Sequence, residues 1–222
     1  MIKALLLDLD NTLYPASSAM DAGFSRRIVR FISDFLHISG EEAAALRNAN
    51  LPHFGTTLEW LKKAEGLTDD EAFFRAVHPD SETGEVEKDP ALRGFLLSLG
   101  LPLFLLTNAP YVHAERMLRH LDVLDIFSGI YDLTWNQGRG KPYPSAFLNP
   151  LADAGFSPQE TLFADDSPKY VLGYRAVGGV PVLVDESGRH AGFAAREGIV
   201  SVPSVYALPD TGLLPAAGAG GD

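Results

Sequence analysis

The 222-residue sequence contains no cysteine. Disulfides, thiolate nucleophiles and cysteine-ligated zinc are therefore excluded, and a reducing compartment is compatible with the chain. Positive charge is scarce as well. Eighteen Lys and Arg stand against 29 Asp and Glu, a formal net charge of −11. Such a surface repels a nucleic-acid backbone at long range, so no nucleic-acid polymer is expected as partner. A small phosphorylated metabolite stays open, because one lysine or one metal ion reverses the field locally. No uncharged apolar run approaches the roughly 18 residues that a membrane span requires, so no membrane partner is expected. The N-terminal apolar run is short and has no signal-peptide cleavage pattern, which makes a cytoplasmic location the expectation. The six histidines form no HxH or HExxH pattern, so a zinc hydrolase is a poor reading.

Apolar residues, by contrast, are plentiful: 46% of the chain is hydrophobic, enough for one sizeable core. IKALLL, 2–7, is too short for a stable helix and fits a strand buried on both faces. From 16 to 88 the pattern turns helical. Phe24, Ile28, Phe31 and Phe35 recur at helical spacing over 20–36. Ser39 to Glu42 has the form of a capping box, another helix is predicted over 56–64, and Thr68 to Glu71 forms a further box before Phe73 and Phe74. HPDSETGEVEKDP, 78–90, is polar and turn-rich and is expected to be a return linker. Strand and helix then alternate: helix 90–99, strand 101–106, helix 111–121, strand 129–133, helix 143–154, strand 161–164, helix 168–176 and strand 180–184. This alternation predicts an α/β, Rossmann-like, mostly parallel sheet, with a helical cap inserted after the first strand. The expected division is a core of 1–15 and 89–208, a cap of 16–88, and a flexible tail of 209–222.

In an open parallel sheet, ligands bind beyond the carboxyl ends of the strands. Four segments should meet there. Asp8 and Asp10 end the first strand; one carboxylate can attack phosphorus, and the other can protonate a leaving oxygen and then activate water. The plain alternative is that they cap the following turn. Thr107 and Asn108 end a second strand and can donate to a phosphoryl oxygen, or can merely start the next helix. Lys141, in GKPYP, would bring positive charge to the site, although a lone lysine is more often a solvated surface group. Asp165 and Asp166 end a further strand, where they bind a cation or cap a helix. Carboxylates gathered at one point repel one another unless protonated or bridged, and their hard oxygens favour Mg²⁺.

DLDNTL (8–13), LLTNA (105–109), GKPYP (140–144) and FADDS (163–167), in this order, resemble the motifs of the haloacid dehalogenase-like hydrolases, in the phosphatase branch with a helical cap. The resemblance implies Asp8 as nucleophile, Asp10 as general acid/base with its carbonyl on Mg²⁺, and Thr12 as support for the loop. It implies Thr107 and Asn108 as the phosphate-binding element, Lys141 as the residue steadying nucleophile and phosphoryl group, Asp166 as the metal-binding acid and Asp165 as its acidic neighbour. One position departs: many relatives have Asp or Asn where this chain has Tyr170, which puts an outer contact to the metal or lysine in question. The dehalogenases of this fold have no acid at the place of Asp10, so phosphoester hydrolysis is the expected reaction.

Substrate identity depends on the cap. DLDNTLYP, His53 to Leu58 and the segment 107–127 resemble the pyrimidine 5′-nucleotidase-like phosphatases, which implies a nucleoside 5′-monophosphate. Gly55, Thr56 and Thr57 are the candidate substrate contacts, and Phe54 or Trp60 could stack on a base, although core packing is the expected role of these aromatics. His113 and His120 are expected to fill surface or packing positions. Phosphoglycolate or a sugar phosphate is the alternative substrate, and a non-catalytic binding protein on the same fold is the alternative from another class. Oligomeric state is not legible in the sequence.

Overall fold

A computed structural model of the chain describes residues 1–215. The chain divides into two compact units, Met1–Ala16 with Lys88–Asp222, and Ser17–Glu87.

The first unit opens with β1 (Ala4–Leu7), whose four residues are all buried. The chain then leaves for the second unit, which is helical: α1 (Ala19–Leu36), α2 (Gly40–Asn50), α3 (Thr57–Ala64) and α4 (Asp70–Val77). Ser39 and Glu42 close the expected capping box at the start of α2. The box expected at Thr68 is displaced by one residue. Asp69 is the N-cap of α4 and accepts from Ala72 N at 2.9 Å, a register that buries Phe73 and Val77, four residues apart, on one face. Phe31 meets Phe73 edge-on, with ring centroids 5.1 Å apart. Trp60 and Leu61 are fully buried in this unit and Leu58 nearly so, which removes Trp60 as a stacking surface.

The polar segment 78–90, expected as the return linker, contains the boundary between the two units, after Glu87. A 3-10 turn occupies Asp80–Glu85. Its Glu82 is buried within reach of His78 Nδ1 (3.3 Å), and Glu85 accepts from Arg27 Nη1 at 2.7 Å. Glu82 and Glu85 thus have partners within the helical unit, while Asp80 and residues 87–90 are exposed.

The chain re-enters the first unit through α5 (Leu92–Ser98), β2 (Leu103–Leu106), α6 (Tyr111–His120), β3 (Phe127–Tyr131), α7 (Pro144–Ala154), β4 (Thr161–Asp165), α8 (Pro168–Ala176), β5 (Val180–Val184), α9 (Ala191–Glu197) and β6 (Val200–Val202). The third strand runs 127–131 rather than 129–133, and the sheet ends in a helix and a short edge strand that the sequence pattern did not reveal. Neither does the tail begin at 209: a 3-10 segment spans Val205–Thr211, while residues 216–222 lie outside the described residues.

All strand pairs are parallel, in the order β3-β2-β1-β4-β5-β6. Leu6 sits opposite Phe104 on one side and Phe163 on the other. With Ala4, Leu106, Tyr131, Phe147, Leu151 and Tyr174, these residues form one buried cluster. Phe147, Phe163 and Tyr174 meet at centroid distances of 5.1–5.4 Å. β1 is central, and the chain turns outward from it to both sides. This is the strand order in which the crevice beyond the carboxyl ends falls at β1, where Asp8 lies.

Candidate active site

Asp8 follows the last residue of β1, and its backbone N donates to Ala164 O at 3.0 Å, which ties the end of β1 to β4. The chain then turns sharply. Thr12 N and Leu13 N both return to Leu9 O, and Asn11 takes a left-handed conformation (φ 60°), which asparagine tolerates better than most residues. Thr12 is buried in this turn. The turn aims Asn11 Nδ2 at Asp166 Oδ2, 3.3 Å away.

Lys141 is buried, and its ammonium has three acceptors: Asp8 Oδ1 at 2.7 Å, Asp165 Oδ2 at 2.6 Å and Leu106 O at 3.0 Å. An ammonium carries three protons, so these contacts use its full donor capacity. Burial pulls the Lys141 pKa down, but the charges of Asp165 and Asp8 outweigh it and the net shift is upward. The lysine is therefore a fixed cation at the carboxyl ends of β1, β2 and β4, not a solvated surface group.

Asn108 positions that lysine. Its Oδ1 accepts from Lys141 N at 2.7 Å and its Nδ2 donates to Lys141 O at 2.9 Å. Thr107 is buried beside it, with Oγ1 accepting from Ala109 N at 3.0 Å. Tyr170, the position that departs from the family resemblance, packs against the lysine. Its ring centroid lies 5.1 Å from Lys141 Nζ, and that of Phe163 lies 5.5 Å away. Burial pushes its phenol up to about 12, while a hydrogen bond with Asn108 acts the other way. Tyr170 thus offers the lysine a ring face and a neutral hydroxyl, and Asp165 supplies the lysine's second carboxylate.

Asp8, Asp165 and Asp166 each offer a carboxylate oxygen within 4.8 Å of the others. Burial is the largest cause of an upward pKa shift in all three, and the charge of neighbouring carboxylates, Asp10 beside Asp8 among them, adds to it. Asp166 is pushed up to about 7, against the lowering effects of Asn11 and Lys141. One lysine does not neutralise three carboxylates. This set of hard oxygens fits a divalent cation. Asp165 has both oxygens engaged by protein donors, Lys141 on Oδ2 and Ser167 N on Oδ1 at 2.8 Å, which makes Asp8 and Asp166 the better ligands.

Asp10, two residues after Asp8, is held from within the same unit. Its Oδ1 accepts from the Tyr14 hydroxyl and lies 2.8 Å from His113 Nε2. His113 is fully buried. Helical spacing marked it as a packing residue, but nothing local could show that it packs on a carboxylate 103 positions away.

Asp8, Asp10, Thr12, Thr107, Asn108, Lys141, Asp165 and Asp166 all belong to the first unit. Gly55, Thr56 and Thr57 belong to the second, where they build the start of α3. Gly55 N donates to Glu59 Oε2 at 2.6 Å, Thr56 Oγ1 accepts from Glu59 N at 3.0 Å, and Thr57 Oγ1 accepts from Arg47 Nε at 3.3 Å.

A doubly wound parallel sheet thus brings paired acids at two strand ends together around a buried lysine, the arrangement of a hydrolase with a Rossmann-like core. The description haloacid dehalogenase-like hydrolase matches residues 2–178, and the chain belongs to that family. It is 33% identical over 126 residues to the phosphoglycolate phosphatase of Escherichia coli K12, covering 56% of this chain and 48% of that protein. The chain thus spans about half the length of the curated relatives it matches. Among solved structures, a HAD phosphatase from Thermococcus onnurineus superposes with a TM-score of 0.64 at 21% identity, over 95% of this chain and 97% of that one. An L-2-haloacid dehalogenase from Xanthobacter autotrophicus superposes with a TM-score of 0.59 at 17% identity, over 95% and 98%. At these identities the likeness is one of fold, and it embraces both chemistries. No described helix is long and apolar enough to cross a membrane.

Proposed function

We propose that the protein is a Mg²⁺-dependent phosphomonoesterase acting on a small phosphorylated metabolite. The observation that carries this reading is the buried Asp8–Lys141–Asp165 chain with Asp166 beside it and Asp10 two residues on. An acid at Asp10 has no use in halide displacement, where the leaving group departs without a proton; an alkoxide leaving group needs one.

Asp8 attacks phosphorus, the bond to the ester oxygen breaks, and Asp10 gives its proton to the departing alkoxide. Asp10 then takes a proton from water as that water attacks the aspartyl phosphate. Inorganic phosphate leaves and the Asp8 carboxylate is restored. Lys141 holds Asp8 in place throughout, with Asp165 as its counter-anchor. Asp8, Asp166 and the carbonyl of Asp10 would hold Mg²⁺, which supplies charge neutralisation for the carboxylates and phosphoryl oxygens.

For the substrate, sequence relatives named phosphoglycolate phosphatase favour a small non-nucleotide phosphate. The nucleotide reading rests on the likeness of DLDNTLYP, the cap segment His53 to Leu58 and the segment 107–127. The test measures Mg²⁺-dependent phosphate release from phosphoglycolate, sugar phosphates, UMP, CMP and dUMP by the native enzyme and D8N. We expect D8N to lose roughly a thousandfold or more in kcat, and phosphoglycolate or another non-nucleotide to lead the panel. Undiminished turnover by D8N, without deamidation, would remove Asp8 as nucleophile; UMP or CMP leading by a hundredfold would restore the nucleotidase reading.

A further inference from the structure

The proposed acid/base residue is gripped on one oxygen by two side chains that lie outside the four catalytic motifs. Tyr14 reaches Asp10 Oδ1 from four residues ahead, and His113 reaches the same oxygen from the first turn of α6, its Nε2 2.8 Å away. Both are sequestered: His113 is 0% exposed and Tyr14 3%. The helix that carries His113 is itself pinned at its start, where Tyr111 N donates to Asp132 Oδ2 at 2.9 Å. Ala114, Met117 and Leu118 seat the helix by burying its apolar face.

A carboxylate on a turn can rotate about two bonds. Bonds from two donors to a single oxygen fix both rotations, and so set where the carboxyl group stands relative to Asp8. Proton transfer depends steeply on such placement, since the donor must lie within hydrogen-bond reach of the leaving oxygen. With Asp10 ionised, Nε2 carries the proton and donates to Oδ1, which also selects the ring tautomer.

We infer that His113 and Tyr14 form a clamp that positions Asp10 for proton transfer to the leaving group, and that they are positioning residues of the phosphomonoesterase; the inference rests on the function proposed above.

A clamp on the general acid makes a demand that a merely structural pair does not. Its loss should matter in proportion to how badly the leaving group needs a proton. The measurement is kcat/KM for glycerol phosphate, whose alkoxide is a poor leaving group, and for p-nitrophenyl phosphate, whose phenolate leaves unprotonated. The variants are H113A, H113Q and Y14F, alone and with D10N.

H113A and Y14F are expected to lower kcat/KM for glycerol phosphate by roughly ten- to a hundredfold, part of what general acid catalysis supplies. For p-nitrophenyl phosphate the fall should be under about threefold on the same scale. H113Q, whose amide N–H takes the place of Nε2–H, should recover most of the loss. In the D10N background, H113A should add less than about twofold, because the residue it serves is gone.

Y14F removes one oxygen atom and keeps the ring, so it tests the clamp even where H113A folds poorly. Equal losses on both substrates in folded Y14F and H113A, or a folded H113Q as impaired as H113A, would overturn the clamp and leave the phosphatase reading standing. Additive losses with D10N would do the same. A native enzyme that hydrolyses neither substrate with Mg²⁺ would overturn both.

Discussion

A methyl group at residue 140 would sit 2.1 Å from Asn108 Oδ1 and 2.9 Å from Leu133 Cδ1. Asn108 cannot swing aside, because its amide is bonded in both directions to the backbone of Lys141. Gly140→Ala therefore forces either the lysine loop or the amide to move, and Lys141 Nζ moves with the loop. The expected cost is about 1–3 kcal/mol in stability and roughly a tenfold fall in kcat, read by thermal melting and phosphate release. Gly94 is the matched control. It lies exposed in α5 with nothing within 4 Å of an added Cβ, so Gly94→Ala should stabilise by up to ~1 kcal/mol and leave turnover alone. A Gly140→Ala variant as stable and active as the native chain would show that the loop has slack.

The elements differ in how much of them could be read in advance. β1, β2, β4 and β5 announced themselves as short apolar runs, because strands buried on both faces cannot alternate. The box at Ser39 was legible because its two hydrogen bonds link residues only three apart. α9 and β6 were not: seven residues make no clear helical period, and an edge strand of three needs no apolar pattern. The motif acids were legible as residues ending apolar runs. Their arrangement, with Asp165 on the lysine and Asp166 on Asn11, depends on pairings across more than 20 and 150 positions that no local pattern encodes. Thr56 shows the converse risk. It drew notice as a ligand contact, yet its hydroxyl caps α3. Thr56→Ala should cost about 1 kcal/mol and Thr56→Ser should restore it, both followed by melting temperature. A rise in KM with no change in melting temperature would instead assign the hydroxyl to the substrate.

At the scale of the whole molecule, the acid cluster opposes the fold that assembles it. An unfolded aspartate ionises near pH 3.9, whereas Asp166 in the folded protein is pushed up to about 7, and burial raises Asp8 and Asp165 as well. Between those values the folded chain holds protons that the unfolded chain has released. Stability must therefore fall as pH rises through that window. The metal-free protein, kept in a chelator, should melt several degrees lower at pH 7.5 than at pH 5.5. The general repulsion of a chain with net charge −11 has the same sign, so the slope alone does not locate its origin. Asp166→Asn does: it leaves the overall charge almost unchanged but removes one of the carboxylates that must ionise inside the cluster. That variant should melt at a higher temperature than the native protein at pH 7.5, with a flatter pH dependence. Mg²⁺ binds the folded state, so millimolar additions should raise the native melting temperature, and more at pH 7.5 than at pH 5.5, where protons compete for the same oxygens. Asp166→Asn should lose most of that gain. A native protein whose metal-free stability rises with pH, or an Asp166→Asn variant that keeps the full Mg²⁺ response, would place both the strain and the cation elsewhere.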